Sequence, residues 1–150
     1  MSANREVIIL VAEDDAGHAR LIEKNLTRAG LNNPVVRFDN GQAVLDFLFR
    51  RGSGRHRGSD VPYLLLLDIR MPQVDGIEVL RQIKQDSELR KVPVIILTTT
   101  DDPREVERCH SIGCASYIVK PVDYNKFAEA ITGLGLYISL VQVPEINGAK

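Results

Sequence analysis

Four consecutive leucines, residues 64–67, run directly into Asp68, and Pro72 and Gly76 follow shortly after. The leucine run is short and is entered through Pro62, so it reads as a β-strand. Every residue in it is apolar rather than every second one, so both faces of the strand must be covered. Strands of this kind belong to parallel sheets flanked by helices, and such sheets bind ligands outside the carboxyl ends of their strands. Asp68 stands at one of those ends. Either it is placed there for chemistry, or it is only the first loop residue or a helix cap, and the rest of the chain has to separate these readings.

The chain repeats a strand–helix pattern five times. Residues 7–12 form an apolar run that ends in Glu13, Asp14 and Asp15. A helical face of Ala19, Leu21, Ile22, Leu26 and Ala29 follows, stopped by Gly30. Pro34 introduces a second strand at 35–38, and Asp39-Asn40-Gly41 is a turn or a helix start before the face of Ala43, Val44, Phe47 and Leu48. After the leucine strand, residues 76–84 are helical with Ile77, Leu80 and Ile83 aligned. Pro93 leads into a fourth strand at 94–97, followed by Thr98-Thr99-Thr100. Pro103 suits the first turn of a helix running to Ile112 and stopped by Gly113. Residues 117–119 form a fifth strand, ending in Lys120-Pro121, and a last helix begins near Asp123 or Tyr124. This alternation predicts an α/β fold with a parallel sheet and right-handed crossovers.

A chain of 150 residues fits one domain and can bury a sizeable core unaided. Its net charge of −1 gives no global attraction to nucleic acid or to an anionic membrane. Cys109 and Cys114 lack the spacing of a zinc or redox motif and read as reduced thiols of a cytoplasmic protein. Neither a signal peptide nor a membrane-spanning run is expected.

The polar residues that follow the strands form a set: Glu13 and Asp14, then Asp68, Thr98 and Lys120. Side by side in a parallel sheet, all would converge on one edge. Clustered carboxylates raise one another's pKa values unless a cation is present, and such oxygen ligands suit a hard divalent ion such as Mg²⁺. A carboxylate can also attack phosphorus to form an acyl phosphate, with a metal ion and a lysine neutralising the transferring phosphoryl group. Taken singly, Glu13 and Asp14 could be helix caps, Thr98 an ordinary strand end and Lys120 a solvated surface group. Their joint occurrence at equivalent strand ends favours the chemical reading.

The stretches ILVAEDD, LLLLDIRMPQVDG, VPVIILTTT and YIVKP, in this order and spacing, resemble the receiver domain of two-component response regulators over about residues 6–132. The resemblance implies a flavodoxin-like, doubly wound, five-stranded parallel sheet of order 2-1-3-4-5 with five helices. It implies that Asp68 is the phosphoacceptor and that Mg²⁺ is held by Glu13, Asp14, Asp68 and the backbone carbonyl of Arg70. Thr98 and Lys120 would contact the phosphoryl oxygens, and Thr98 and Tyr117 would form the switch. The Lys120–Pro121 bond would be cis, and Gly76 would permit a tight turn into the helix. Arg70 and Thr100 depart from simple residues at positions that tune phosphate lifetime, and Thr99 stands where a smaller residue is usual. The expected partner is a sensor histidine kinase.

The resemblance ends near residue 132, and residues 133–150 are too few for a DNA-binding module, so output by protein–protein contact or phosphate relay is expected. The stretch 133–144 is apolar for a terminus. It either lengthens the last helix and packs on its own domain, or it covers a partner subunit. Together with the basic insertion at residues 50–60, it resembles a subgroup of regulators that serve phytochrome-type kinases, in which the extension supports a homodimer. The insertion itself reads as a flexible, solvated loop rather than a phosphate-binding one, because it precedes a strand and has the wrong glycine spacing. His18, His56 and His110 suggest neither a metal site nor a triad. Two other readings stand beside this one. A haloacid-dehalogenase-type hydrolase would need an acid where Arg70 stands, and a phosphate-independent flavodoxin-like binding module would have no use for a complete acidic pocket.

Overall fold

In the computed structural model, which describes residues 6–147, five parallel strands and five helices alternate as the sequence pattern predicts. They are β1 (Ile8–Ala12), α1 (Ala16–Arg28), β2 (Val35–Phe38), α2 (Gly41–Phe49), β3 (Val61–Leu67), α3 (Gly76–Gln85), β4 (Val94–Thr98), α4 (Pro103–Ile112), β5 (Ser116–Val119) and α5 (Tyr124–Leu140). The sheet order is β2-β1-β3-β4-β5. A 3₁₀ turn at Leu89–Lys91 and a two-residue strand β6 (Glu145–Ile146) complete the chain; neither has a periodic signal strong enough to read from sequence.

The leucine run is buried on both sides because its side chains alternate between two cores. Leu65 and Leu67 face the layer of α2 and α3 with Leu10, Val94 and Ile96, while Leu64 and Leu66 face α1 and α5 with Ile9, Ile95 and Leu97. Burying each such side chain contributes about 1.5–3 kcal/mol, so the central strands anchor the fold. Each helix starts at a side-chain cap: Asp15, Asn40, Asp75, Asp102 and Asp123 each accept from a backbone N–H of the first turn. These caps satisfy amides that a helix cannot pair internally.

The insertion before β3 is mostly exposed, as a solvated loop would be, but it is not simply flexible. Arg57 is buried within it, donating from Nε to the Leu48 carbonyl at 2.9 Å and from Nη1 to the Gly58 carbonyl at 3.0 Å. Tyr63 Oη accepts from the Gly58 N–H at 2.8 Å. A guanidinium can be buried here because backbone carbonyls, one at the end of α2 and one within the insertion, satisfy its donors. The spacing of charges in the sequence does not show that pairing.

Residue 132 falls inside α5, which continues to Leu140. The described residues beyond it pack on their own domain. Val141 and Val143 lie against the α1–α5 layer, whereas Ile146 is fully buried in the opposite layer. Between them the segment crosses the amino-terminal edge of the sheet, where β6 pairs antiparallel with Val61 and Pro62. The Asp60 N–H donates to the Ile146 carbonyl at 2.8 Å, and Glu88 Oε2 accepts from the Asn147 N–H at 2.6 Å.

Candidate functional site

Strand register brings the polar residues to one edge. Ala12 pairs with Leu67, Leu67 with Ile96, and Thr98 with Val119. Glu13, Asp68 and Lys120 each stand one residue beyond a paired position, and the backbone continues the ladder there. Asp68 N–H donates to the Ala12 carbonyl at 3.0 Å and Glu13 N–H to the Phe38 carbonyl at 2.9 Å. The cluster lies at the opposite end of β3 from the Arg-rich insertion.

Lys120 is the centre of the site. Its ammonium is buried and donates to Glu13 Oε1, to Asp68 Oδ2 at 3.2 Å and to His18 Nδ1 at 3.1 Å. Carboxylate oxygens of Glu13, Asp14 and Asp68 all lie within 4.8 Å of one another. Among the described residues, Asp68 Oδ1 and Thr98 Oγ1 are buried and meet no hydrogen-bond partner. Buried polar atoms normally have partners, so an orphaned carboxylate oxygen and an orphaned hydroxyl in one pocket point to a ligand. Clustered carboxylate oxygens fit a hard divalent cation, and the orphaned Asp68 oxygen fits the same chemistry. Burial pushes the Glu13 carboxyl up to about 7, the Asp68 charge adds to the rise, and Lys120 opposes it. Mutual repulsion among the acids is therefore the smaller cause, and removal from water the larger.

The cap geometry separates the two readings of the acids. Asp15 caps α1, accepting from the His18 N–H at 3.0 Å. Glu13 and Asp14 are left facing the pocket. Glu13 Oε2 accepts from the Asp15 N–H nearby, at 3.1 Å. Gly76 is needed for close approach more than for its turn: a Cβ there would lie 2.2 Å from the Asp68 carbonyl oxygen. The loop after Asp68 is thereby drawn against the start of α3, where the Gly76 N–H donates to the Ile69 carbonyl at 2.8 Å.

Tyr117 is half-buried in β5, and its hydroxyl donates to the Thr100 carbonyl at 2.9 Å. Burial pushes its phenol up to about 12. The Arg70 side chain pairs with Glu105 of α4 at 3.1 Å, pointing away from a role as a simple site cation. Thr99 is exposed. No cis peptide bond occurs among the described residues, so the Lys120–Pro121 bond is trans, against expectation. For an X–Pro bond the two isomers differ by only about 0.5–1 kcal/mol, so the dipeptide does not choose between them and its surroundings do.

Two residues reach the site unannounced by any motif. Arg37 of β2 donates through Nε and Nη2 to the Glu13 carbonyl at 3.1 and 2.9 Å, and through Nη2 to the Asp14 carbonyl at 3.1 Å. It braces the backbone that presents both acids. His18 contacts Lys120 and meets the Phe127 ring edge-on, with centroids 5.8 Å apart. Only the i+3 spacing from the cap Asp15, which turns His18 back toward the strand end, could have flagged it.

A parallel sheet in this order, with acids, a hydroxyl and a buried lysine at the carboxyl ends of its strands, defines a signalling receiver of the α/β type. The chain belongs to the response regulator receiver domain family, whose model matches residues 9–132. Among curated proteins it is 36% identical over 138 residues to the probable methanogenesis regulatory protein FilR2 of Methanothrix harundinacea, covering 91% of this chain and 86% of that one. It is 28% identical over 143 residues to response regulator Rcp1 of Synechocystis, covering 95% and 96%. Among solved structures, a response regulator receiver domain from Rhodospirillum rubrum superposes with a TM-score of 0.88 at 47% identity, covering 94% of this chain and 99% of that one. The Mn²⁺-bound form of Rcp1 gives 0.81 at 27% identity, covering 91% and 98%. The phosphorylated cyanobacterial phytochrome response regulator RcpA gives 0.79 at 27% identity, covering 93% and 99%. Receiver domains are signalling proteins rather than conventional enzymes. No helix among the described residues is long and apolar enough to cross a membrane.

Proposed function

We propose that this receiver takes a phosphoryl group from the phosphohistidine of a sensor histidine kinase onto Asp68. The observation that carries the reading is the buried Asp68 carboxylate, with Oδ2 on Lys120 and Oδ1 unpartnered beside Glu13 and Asp14. An Asp68 oxygen forms a bond to phosphorus as the bond from phosphorus to the donor imidazole breaks. Lys120 draws charge from the transferring group through its ammonium, and the Thr98 hydroxyl donates to it. Glu13, Asp14, Asp68 and the Arg70 carbonyl would hold Mg²⁺, which supplies charge neutralisation when bound. Hydrolysis of the acyl phosphate returns the free carboxylate.

Output runs through protein–protein contact. A phosphoryl dianion draws Thr98 inward, Tyr117 exchanges its bond to the Thr100 carbonyl for a buried rotamer, and the surface of α4, β5 and α5 changes partner by population shift. The likeness to RcpA, a phytochrome response regulator, supports a phytochrome-type kinase as the source of the phosphoryl group. Exposed Leu136, Tyr137 and Leu140 on one side of α5 support a homodimer through that helix, whose second half lies beyond residue 132, where the receiver unit was expected to end. Buried free thiols and the signalling role fit a cytoplasmic protein without direct nucleic-acid binding.

The test is incubation with acetyl phosphate and Mg²⁺ followed by intact-mass measurement beside Asp68→Asn. The expected result is one phosphate adduct, absent in the variant and absent with EDTA. An adduct that persists in Asp68→Asn would place the acceptor elsewhere.

A further inference from the structure

His18 lies in the first turn of α1, outside the motifs that mark the site, yet its Nδ1 is 3.1 Å from Lys120 Nζ. An ammonium has three protons and no lone pair, so the imidazole nitrogen must be the acceptor. Lys120 thus has three acceptors for three protons: Glu13, Asp68 and His18. Two of them are carboxylates with other work to do in the proposed reaction, since Asp68 takes the phosphoryl group and Glu13 belongs to the acidic set. When Lys120 turns toward a phosphoryl oxygen, its bonds to those carboxylates must loosen. The His18 Nδ1 acceptor has no such competing task. Its ring is held against Phe127 of α5, so it is fixed by packing between two helices.

We infer that His18 is a positioning residue that holds the buried Lys120 ammonium in place while its carboxylate partners are exchanged for the phosphoryl group. The inference rests on the proposed phosphoacceptor role of Asp68. Without the imidazole, one ammonium proton is buried with no fixed acceptor, and such an unmet donor is costly. Lys120 then settles more closely on Glu13 and is misplaced for transfer, where small displacements cost large factors in rate.

Three variants separate acceptor from packing. His18→Phe keeps a ring against Phe127 and removes the acceptor. His18→Asn puts a carbonyl oxygen close to the place of Nδ1, whereas His18→Gln puts it further out. The rate of adduct formation from acetyl phosphate at saturating Mg²⁺ is expected to fall about tenfold in His18→Phe and His18→Gln, an effect typical of losing an outer-shell partner, and to stay near wild type in His18→Asn. Because the rate is read at saturating Mg²⁺, weaker Mg²⁺ binding caused by closer Lys120–Glu13 pairing does not enter it. Independently of any phosphotransfer, the ¹⁵N shift of His18 Nδ1 should mark an unprotonated acceptor and move in Lys120→Met. A wild-type rate in His18→Phe would overturn the inference, and so would an equal loss in Phe and Asn variants, which would assign the effect to the ring. If wild type itself takes no phosphate, the Asp68 reading fails, while the ¹⁵N measurement still decides whether His18 holds Lys120.

Discussion

Glu13 illustrates how one residue's surroundings set its chemistry. Its carboxyl is buried beside Lys120 and Asp68, and burial raises it from an ordinary 4.5 to about 7. Between those values the folded chain holds a proton that the unfolded chain releases. Glu13 therefore contributes stability below about 4.5 that is lost as pH rises through about 7. A cation must displace that proton, so Mg²⁺ affinity should fall as pH drops through the same window. Ionisation of a group near 7 changes about tenfold between pH 8 and pH 6, so the Mg²⁺ dissociation constant should be about tenfold weaker at pH 6. Calorimetric titration at matched ionic strength would read it, and a flat profile would remove Glu13 from the ligand set. The orphaned Asp68 Oδ1 and Thr98 Oγ1 belong to the same logic: polar atoms are left unpaired where a ligand is to be met.

At the scale of elements, the helices are not equally held. Five residues of α3 are buried, but Cys109 alone among those of α4. Helix α4 is tied to the site's loop through Arg70 and Glu105, an ion pair whose arginine is largely exposed. Pairs of that kind contribute at most about 1 kcal/mol, which suits the proposed change of partner at the α4, β5 and α5 surface. The segment after α5 behaves in the opposite way. Ile146 is fully buried in the layer across the sheet from Val141 and Val143, so the tail joins both cores beneath β3. Ile146→Ala should cost about 2–5 kcal/mol, the range for emptying a buried aliphatic site, read as a lower urea midpoint at unchanged slope. A shift too small to measure would show that β6 does not hold the domain together.

Across the whole molecule, the apolar surface that stays uncovered is concentrated late in the chain. Leu136 is 59% and Leu140 81% exposed, one helical turn apart on α5 with Tyr137 beside them. Their neighbours Leu134 and Ile138 are buried, so α5 is apolar on two sides, one for its own core and one free. The proposed homodimer would cover that second side. Sedimentation velocity should find a dimer that becomes a monomer of unchanged thermal stability in the double variant Leu136→Glu, Leu140→Glu. A monomeric wild type would leave this face to a different partner.

Local sequence determined a good deal. The all-apolar run ending in Asp68, the Pro and Gly punctuation, and the acids after β1 carry their meaning within a few residues, because strand burial, capping and turn chemistry are short-range effects. For that reason the five strand–helix repeats and the strand-end positions of Glu13, Asp14, Asp68, Thr98 and Lys120 could be read before any coordinates, whereas the strand order came from the resemblance to receiver domains. Only the tertiary structure decided that Asp15 rather than Glu13 or Asp14 caps α1, that Arg57 is buried, that Lys120–Pro121 is trans and that Ile146 crosses to the far core. It also brought His18 to a lysine 102 positions away. The His18–Lys120 contact leaves no period in the sequence, since it depends on where two helices and a strand end meet in space, and that is fixed by packing of the whole sheet.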